Sequence, residues 1–137
     1  MRYTLLDGWR DEVLLVARIL LVILYVLFGY QKLAGFHDTI GEMVAVGLPI
    51  PTVAAVVVVI LEFFVGIAIL FGFFTRPLAL LLAVYTLATG FIGHHYWTMT
   101  GDAHVANMIN FYKNVSIMGG FVLLALTGPG KYSIDRK

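Results

Sequence analysis

The sequence predicts an all-α integral membrane protein: a four-helix bundle with its N- and C-termini on the cytoplasmic side. Three observations carry that expectation. The 137 residues are 61% hydrophobic and 12% charged, with a mean hydropathy of +0.94, whereas a soluble domain is roughly 25% charged. Apolar runs close to the ~20 residues that cross a bilayer occupy residues 13–32, 52–74, 77–96 and 106–126. Finally, Arg2, Arg10, Arg76, Lys131, Arg136 and Lys137 fall at the N-terminus, the second connection and the C-terminus. Four spans place these on one side, and the excess of positive charge makes that side cytoplasmic.

The first run follows Arg2 and Arg10, as a signal peptide would, but it exceeds the usual 7–15 apolar residues and no A-x-A-like cleavage site follows it. A retained span is expected. Gly35 closes it, and Gly47, Pro49 and Pro51 punctuate the approach to the second span. The stretch FTRP (74–77) makes a tight connection into a third helix that carries Pro77 in its first turn. TGPGK (127–131) stops the fourth. With no internal repeat, low-complexity segment or soluble portion, a single domain over residues 1–137 is expected.

Composition also excludes some chemistry. The absence of cysteine removes disulfides, protein-ligated iron–sulfur clusters and c-type haem attachment. A net charge of +1 without a basic stripe gives no nucleic-acid partner.

The polar residues inside the spans are the informative ones. On the first helix Arg18, Val22, Tyr25, Gly29 and Lys32 are spaced 4, 3, 4 and 3, so they share one face, which should look inward. Arg18 lies about five residues, roughly 8 Å, from the cytoplasmic end. Lys32 sits at the opposite boundary, where an interfacial anchor is the simpler expectation. Glu62 falls near the middle of the second span, with Ala55 and Gly66 on its face. A charged side chain at the centre of a helix in the bilayer costs about 2.5–3.5 kcal/mol, so Glu62 needs a cation. Lys113 of the fourth span reaches a comparable depth, and a Glu62–Lys113 pair is expected. Asn110 or Asn114 would fill its remaining hydrogen-bond sites, and Arg18 would approach from the cytoplasmic side. The pair would either fix helix register or mark a proton or ligand site.

The third span carries Thr86, Gly90, Gly93 and His94 on or near one face; His94 near its end is a candidate proton carrier or a hydrogen-bonded structural residue. His94 and His95 point about 100° apart on a helix and are poor joint ligands; His37 and His104 come from loops, and no metal site is assigned. Tyr96, Trp97, Phe111 and Tyr112 form an interfacial belt, or otherwise the wall of a pocket for a flat ring.

These residues together resemble the DoxX family of small bacterial and archaeal membrane proteins. The likeness runs along nearly the whole chain: Arg18 and GYQKL (29–33), GLPIP (47–51), Glu62, GFFTRP (72–77), HHYW (94–97), KNVSIMGG (113–120) and GPGKYSID (128–135). The resemblance implies a multi-pass protein of the inner (cytoplasmic) membrane. Members include a subunit of a thiosulfate:quinone oxidoreductase, and others are associated with membrane redox complexes and oxidative-stress defence. It therefore implies a subunit exchanging electrons or protons with membrane quinone. Glu62, His94 and Lys113 would be the reacting groups, and Arg18, Tyr25, Trp97, Asn110 and Asn114 would line the site. A quinone needs an apolar slot with donors at its carbonyls and a proton source. With no cysteine, a protein partner would supply the electrons.

Two other readings remain: a non-catalytic anchor or assembly partner of a redox complex, whose polar cluster is structural, and a small proton-coupled transporter, which would need several copies. Gly66, Gly90, Gly119 and Gly120 allow close helix contacts within one subunit or between copies.

Overall fold

The computed structural model describes residues 5–136; Arg2 and Lys137, two of the cations used for orientation, lie outside them. Four helices are long and apolar enough to cross a membrane, and no strand occurs among the described residues. We name them with the short helix between the first two: α1 (Arg10–Ala34), α2 (Phe36–Ala45), α3 (Pro51–Leu70), α4 (Thr75–Gly93) and α5 (Gly101–Thr127).

The face read from the spacing on α1 is the buried one: Arg18, Val22, Tyr25 and Gly29 are all inaccessible or nearly so. It packs antiparallel against α3 in a register fixed by missing side chains. A Cβ on Gly29 would lie 2.5 Å from the Phe63 nitrogen and 2.8 Å from the Glu62 carbonyl carbon. Gly66 makes the reciprocal approach to Tyr25 and Val26. Here α3 widens into a π-helical stretch, Ile60–Val65, that contains Glu62; such a bulge is a local departure from the regular ladder and often marks a functional position.

The chain closes one end of the bundle with its own C-terminal segment. Arg18 donates to the carbonyls of Pro129 (2.8 Å) and Tyr132 (2.6 Å). The carboxylate of Asp135 accepts from the backbone nitrogens of Phe74 (3.0 Å) and Thr75 (2.8 Å), satisfying the first turn of α4. Arg76 donates to the Ala125 and Leu126 carbonyls at the end of α5, where a cation suits the helix dipole. The cationic connection, the start of α1 and the C-terminal segment thus share one end, called the tail end below. The sequence expectation that Arg18 approaches Glu62 is corrected: its two terminal guanidinium nitrogens are taken up by the Pro129 and Tyr132 carbonyls of the C-terminal segment, which the sequence could not show folding back.

At the opposite end the helices separate. α4 and α5 pack on each other along their length, whereas the first half of α3, Pro51–Val59, packs on α1 and α2 and touches neither α4 nor α5. The result is a cleft between the α1–α3 pair and the α4–α5 pair.

Replacing Gly29 by Ala forces two backbones apart, so Gly29→Ala should lower stability by about 1–3 kcal/mol. Gly119→Ala, where an added Cβ meets nothing within 4 Å, should change it by less than about 0.5 kcal/mol. Thermal unfolding of both variants in the same detergent checks the pair, and equal midpoints would show that the α1–α3 contact is not close.

Candidate functional site

The cleft has a volume of about 850 Å³. Its walls are mostly aliphatic, from Leu24, Ala54, Val57, Val58, Ala88, Ile92 and Ile117, and α2 with its following turn (Glu42, Met43, Ala45, Val46, Leu48) covers the end away from the tail. Into this apolar space project Lys32, Glu62, Tyr85, Thr89, His94, Asn110, Lys113 and Asn114.

Its centre is an ion pair, with a different partner from the one expected. Lys32 Nζ donates to both carboxylate oxygens of Glu62, at 2.8 Å to Oε1 and 2.7 Å to Oε2, and Tyr85 donates its hydroxyl to Oε1 at 2.7 Å. The Glu62 residue is 8% exposed. Lys113 makes no ion pair with it. The correction has a geometric cause. Counting residues from span ends assumes that all helices begin at one level, but the Gly29–Phe63 contact slides α1 toward the tail end. Lys32 then stands one turn beyond Gly29, beside Glu62, instead of at a membrane boundary, and the interfacial role expected for it is replaced by that of counter-ion.

Tyr85 was missed by the sequence reading. The available signal was its place beside Thr86 on the inward side of the third span, but a tyrosine there is equally compatible with a lipid-facing or packed ring. Thr86 itself is buried; it pairs with the Tyr25 hydroxyl and back-bonds to the Leu82 carbonyl at 2.6 Å. Tyr25 therefore lines the inner wall of the cleft. Asn114 donates to the Thr86 carbonyl (3.1 Å) and Thr89 Oγ1 (3.2 Å), so it ties α5 to α4 and does not complete the Glu62 pair. Asn110 faces the cleft.

His94 follows the last residue of α4, with Nδ1 2.9 Å from Asn107 Oδ1. Because the Asn107 amide nitrogen donates to the Ala103 carbonyl, its oxygen is an acceptor, and the His94 proton belongs on Nδ1. His95 and His104 bond separately to backbone carbonyls, of Ile92 and of Tyr96 and Met99. Trp97 does not line the cleft. It meets Phe91 at a tilt and Phe111 edge-to-face, with ring centroids at 5.9 and 5.8 Å, and remains 52% exposed, in an aromatic cluster continued by Tyr96 and Tyr112. The expectation that Trp97 lines the site with Arg18, Tyr25, Asn110 and Asn114 is corrected: the structure sets it apart from the cleft, within the aromatic cluster.

The comparisons with known proteins agree with this architecture. A family model described as DoxX matches residues 13–95, covering α1 to α4. The chain belongs to the DoxX family. It is 52% identical over 137 residues to the inner membrane protein YphA of Escherichia coli, covering 100% of this chain and 98% of that protein. It is 47% identical over 127 residues to the inner membrane protein YqjF of the same organism, covering 93% and 92%. An uncharacterized protein of Caenorhabditis elegans, T02E1.7, is 33% identical over 64 residues, covering 47% of this chain and 23% of that protein. No solved structure matches. This DoxX member is a multi-pass inner-membrane protein in contact with lipid.

The Lys32–Glu62 pair can be weighed by removing it in two ways. Lys32→Met strands a carboxylate in an apolar cleft and should cost about 2 kcal/mol or more, whereas Lys32→Met with Glu62→Gln removes the charge altogether and should recover most of the loss. Thermal unfolding of the singles and the double completes a mutant cycle; additive losses would mean that the two groups do not interact.

Proposed function

We propose that this protein is the membrane subunit of a redox system and that its cleft receives the headgroup of a membrane quinone. The observation that carries the reading is the Lys32–Glu62–Tyr85 chain opening onto an apolar cleft between helices. A quinone needs hydrogen-bond donors at its two carbonyls and protons when it is reduced. Lys32, Tyr85 and Asn110 are donors in the cleft, and Glu62, hydrogen-bonded to the first two, can pass a proton among them. His94, held through Nδ1, keeps Nε2 to exchange a proton near the covered end, and Lys113 borders the open side. Tyr25 and Asn114 hold the α4 wall in place from either side of Thr86. No residue here cycles electrons by itself, so a protein partner delivers or removes them at the membrane surface. The cationic tail end is the cytoplasmic one on this reading, following the excess of positive charge.

The protein gently extracted from its membrane should carry an isoprenoid quinone detectable by mass spectrometry. Added decylubiquinone should bind Glu62→Gln and Tyr85→Phe about tenfold more weakly than the parent, the change expected when a buried hydrogen-bonding group is lost. Absence of any quinone, with equal decylubiquinone binding by all three proteins, would leave the anchoring role, in which the ion pair only locks α1 onto α3. Since the chain has no cysteine, orientation is read by single replacements: His37→Cys should react with an impermeant maleimide on intact spheroplasts and Lys131→Cys should not.

A further inference from the structure

We propose that α5 carries a second site, on the lateral side of the cleft, for a membrane-borne long-chain carboxylate such as a fatty acid, with Lys113 as its counter-ion and Ser116 as its second donor. This inference does not rest on the quinone reading.

The first observation is depth. Asn114 is bonded to Thr86, the residue next to Tyr85, and Tyr85 is bonded to Glu62, so Lys113 lies at the level of the central ion pair. An ammonium at that level needs a counter-charge or a path to water. It has neither an ion pair nor a hydrogen bond among the described residues, and Glu62, the nearest acid in sequence logic, already has its two oxygens occupied by Lys32 and Tyr85. Glu42, the other acid on the cleft, belongs to the covering helix and makes no ion pair with Lys113.

The second observation is Ser116, on the same face three residues on. A hydroxyl in a membrane helix ordinarily returns to the carbonyl of the preceding turn, as Thr86 does with Leu82 and Thr127 with Leu123. Ser116 has no hydrogen-bond partner among the described residues. Two donor side chains, one of them charged, are therefore presented side by side at mid-bundle depth with no protein acceptor.

The third observation is the surface around them. Lys113 and Ile117 border both the cleft and an outer trough of about 510 Å³, whose other walls are Met108, Ile109, Tyr112 and Ser116. All six residues lie on one face of α5, so the trough is a groove along the helix surface, apolar apart from these two donors and the Tyr112 hydroxyl, which pairs with Tyr96. One cation and one hydroxyl match one negative charge spread over two oxygens, and the aliphatic walls match an alkyl chain. A glycerophosphate headgroup brings further oxygens and a second chain, for which the trough supplies no second cation and only a hydroxyl, that of Tyr112, already paired with Tyr96. A carboxylate on a single chain is the occupant that leaves nothing unmatched.

Native mass spectrometry of the full chain in detergent, with added oleate or oleyl alcohol, tests the site. The parent should retain one oleate at concentrations where the alcohol, equal in chain but uncharged, is not retained. Lys113→Gln should weaken oleate retention about tenfold or more, the scale of a charge-assisted hydrogen bond, while Lys113→Arg keeps it and Ser116→Ala weakens it less. Lys113→Gln removes an unpaired charge from the bilayer and should unfold at the same temperature as the parent or higher, so the loss is not one of folding. Lys131→Gln, on the tail segment, should leave retention unchanged. Equal retention of oleyl alcohol, indifference to Lys113→Gln, or retention of phosphatidylglycerol in place of oleate would overturn the assignment. Glu62→Gln separates the two sites: it should alter decylubiquinone binding and leave oleate binding intact, so failure of either reading is visible without the other.

Discussion

The absence of a side chain at Gly29 sets the register on which the polar interior depends. Because the α1 backbone can come against the backbone of Glu62 and Phe63, the first helix slides toward the tail end, and Lys32 is carried from an apparent boundary position to the side of a buried carboxylate. The contact of Val26 with Gly66, and that of Arg18 with Gly72 just past the end of α3, repeat the same alignment. A bulkier residue at position 29 would separate the helices and withdraw the counter-ion together with the packing.

That alignment also explains why the bundle is tight at one end and open at the other. At the tail end the returning segment 128–136 supplies carbonyls to Arg18 and a carboxylate to the start of α4, so the segment that follows α5 is cross-linked to α1 and α4 by hydrogen bonds. At the opposite end α1 stops early and α2 fills part of the space beyond it. The first half of α3 is left facing α4 and α5 across a gap. The cleft is thus a consequence of unequal helix placement, and Lys32, Glu62, Tyr85 and Asn114 are held in it by hydrogen bonds that also join the helices.

Charge in the cleft is distributed unevenly. Glu62 receives three hydrogen bonds from two donors, whereas Lys113 and Ser116 on α5 have none among the described residues. In a low-dielectric setting such differences matter more than net charge, because an unmatched donor retains its full desolvation cost. A satisfied acid suits the handling of protons; unsatisfied donors suit the capture of an acceptor from outside.

Much of the fold was legible in the residues. Hydropathy gave the four spans, because hydrocarbon demands continuous apolar helices of fixed length, and the 4, 3, 4, 3 spacing gave the inward face of α1, because side chains three and four apart share one side of a helix. Glu62 announced itself as a residue needing a partner for the same reason of solvation. The partner was a matter of tertiary structure. Helix offset, the π-helical widening around Glu62 and the return of the C-terminal segment onto Arg18 arise from contacts between residues far apart in the chain, and no local period encodes them. The sequence alone determined which groups must be matched inside the membrane, since transfer energies belong to individual side chains; only the packed helices decided which group matches which, since that depends on distances of a few ångströms set by a glycine on one helix and the backbone of another.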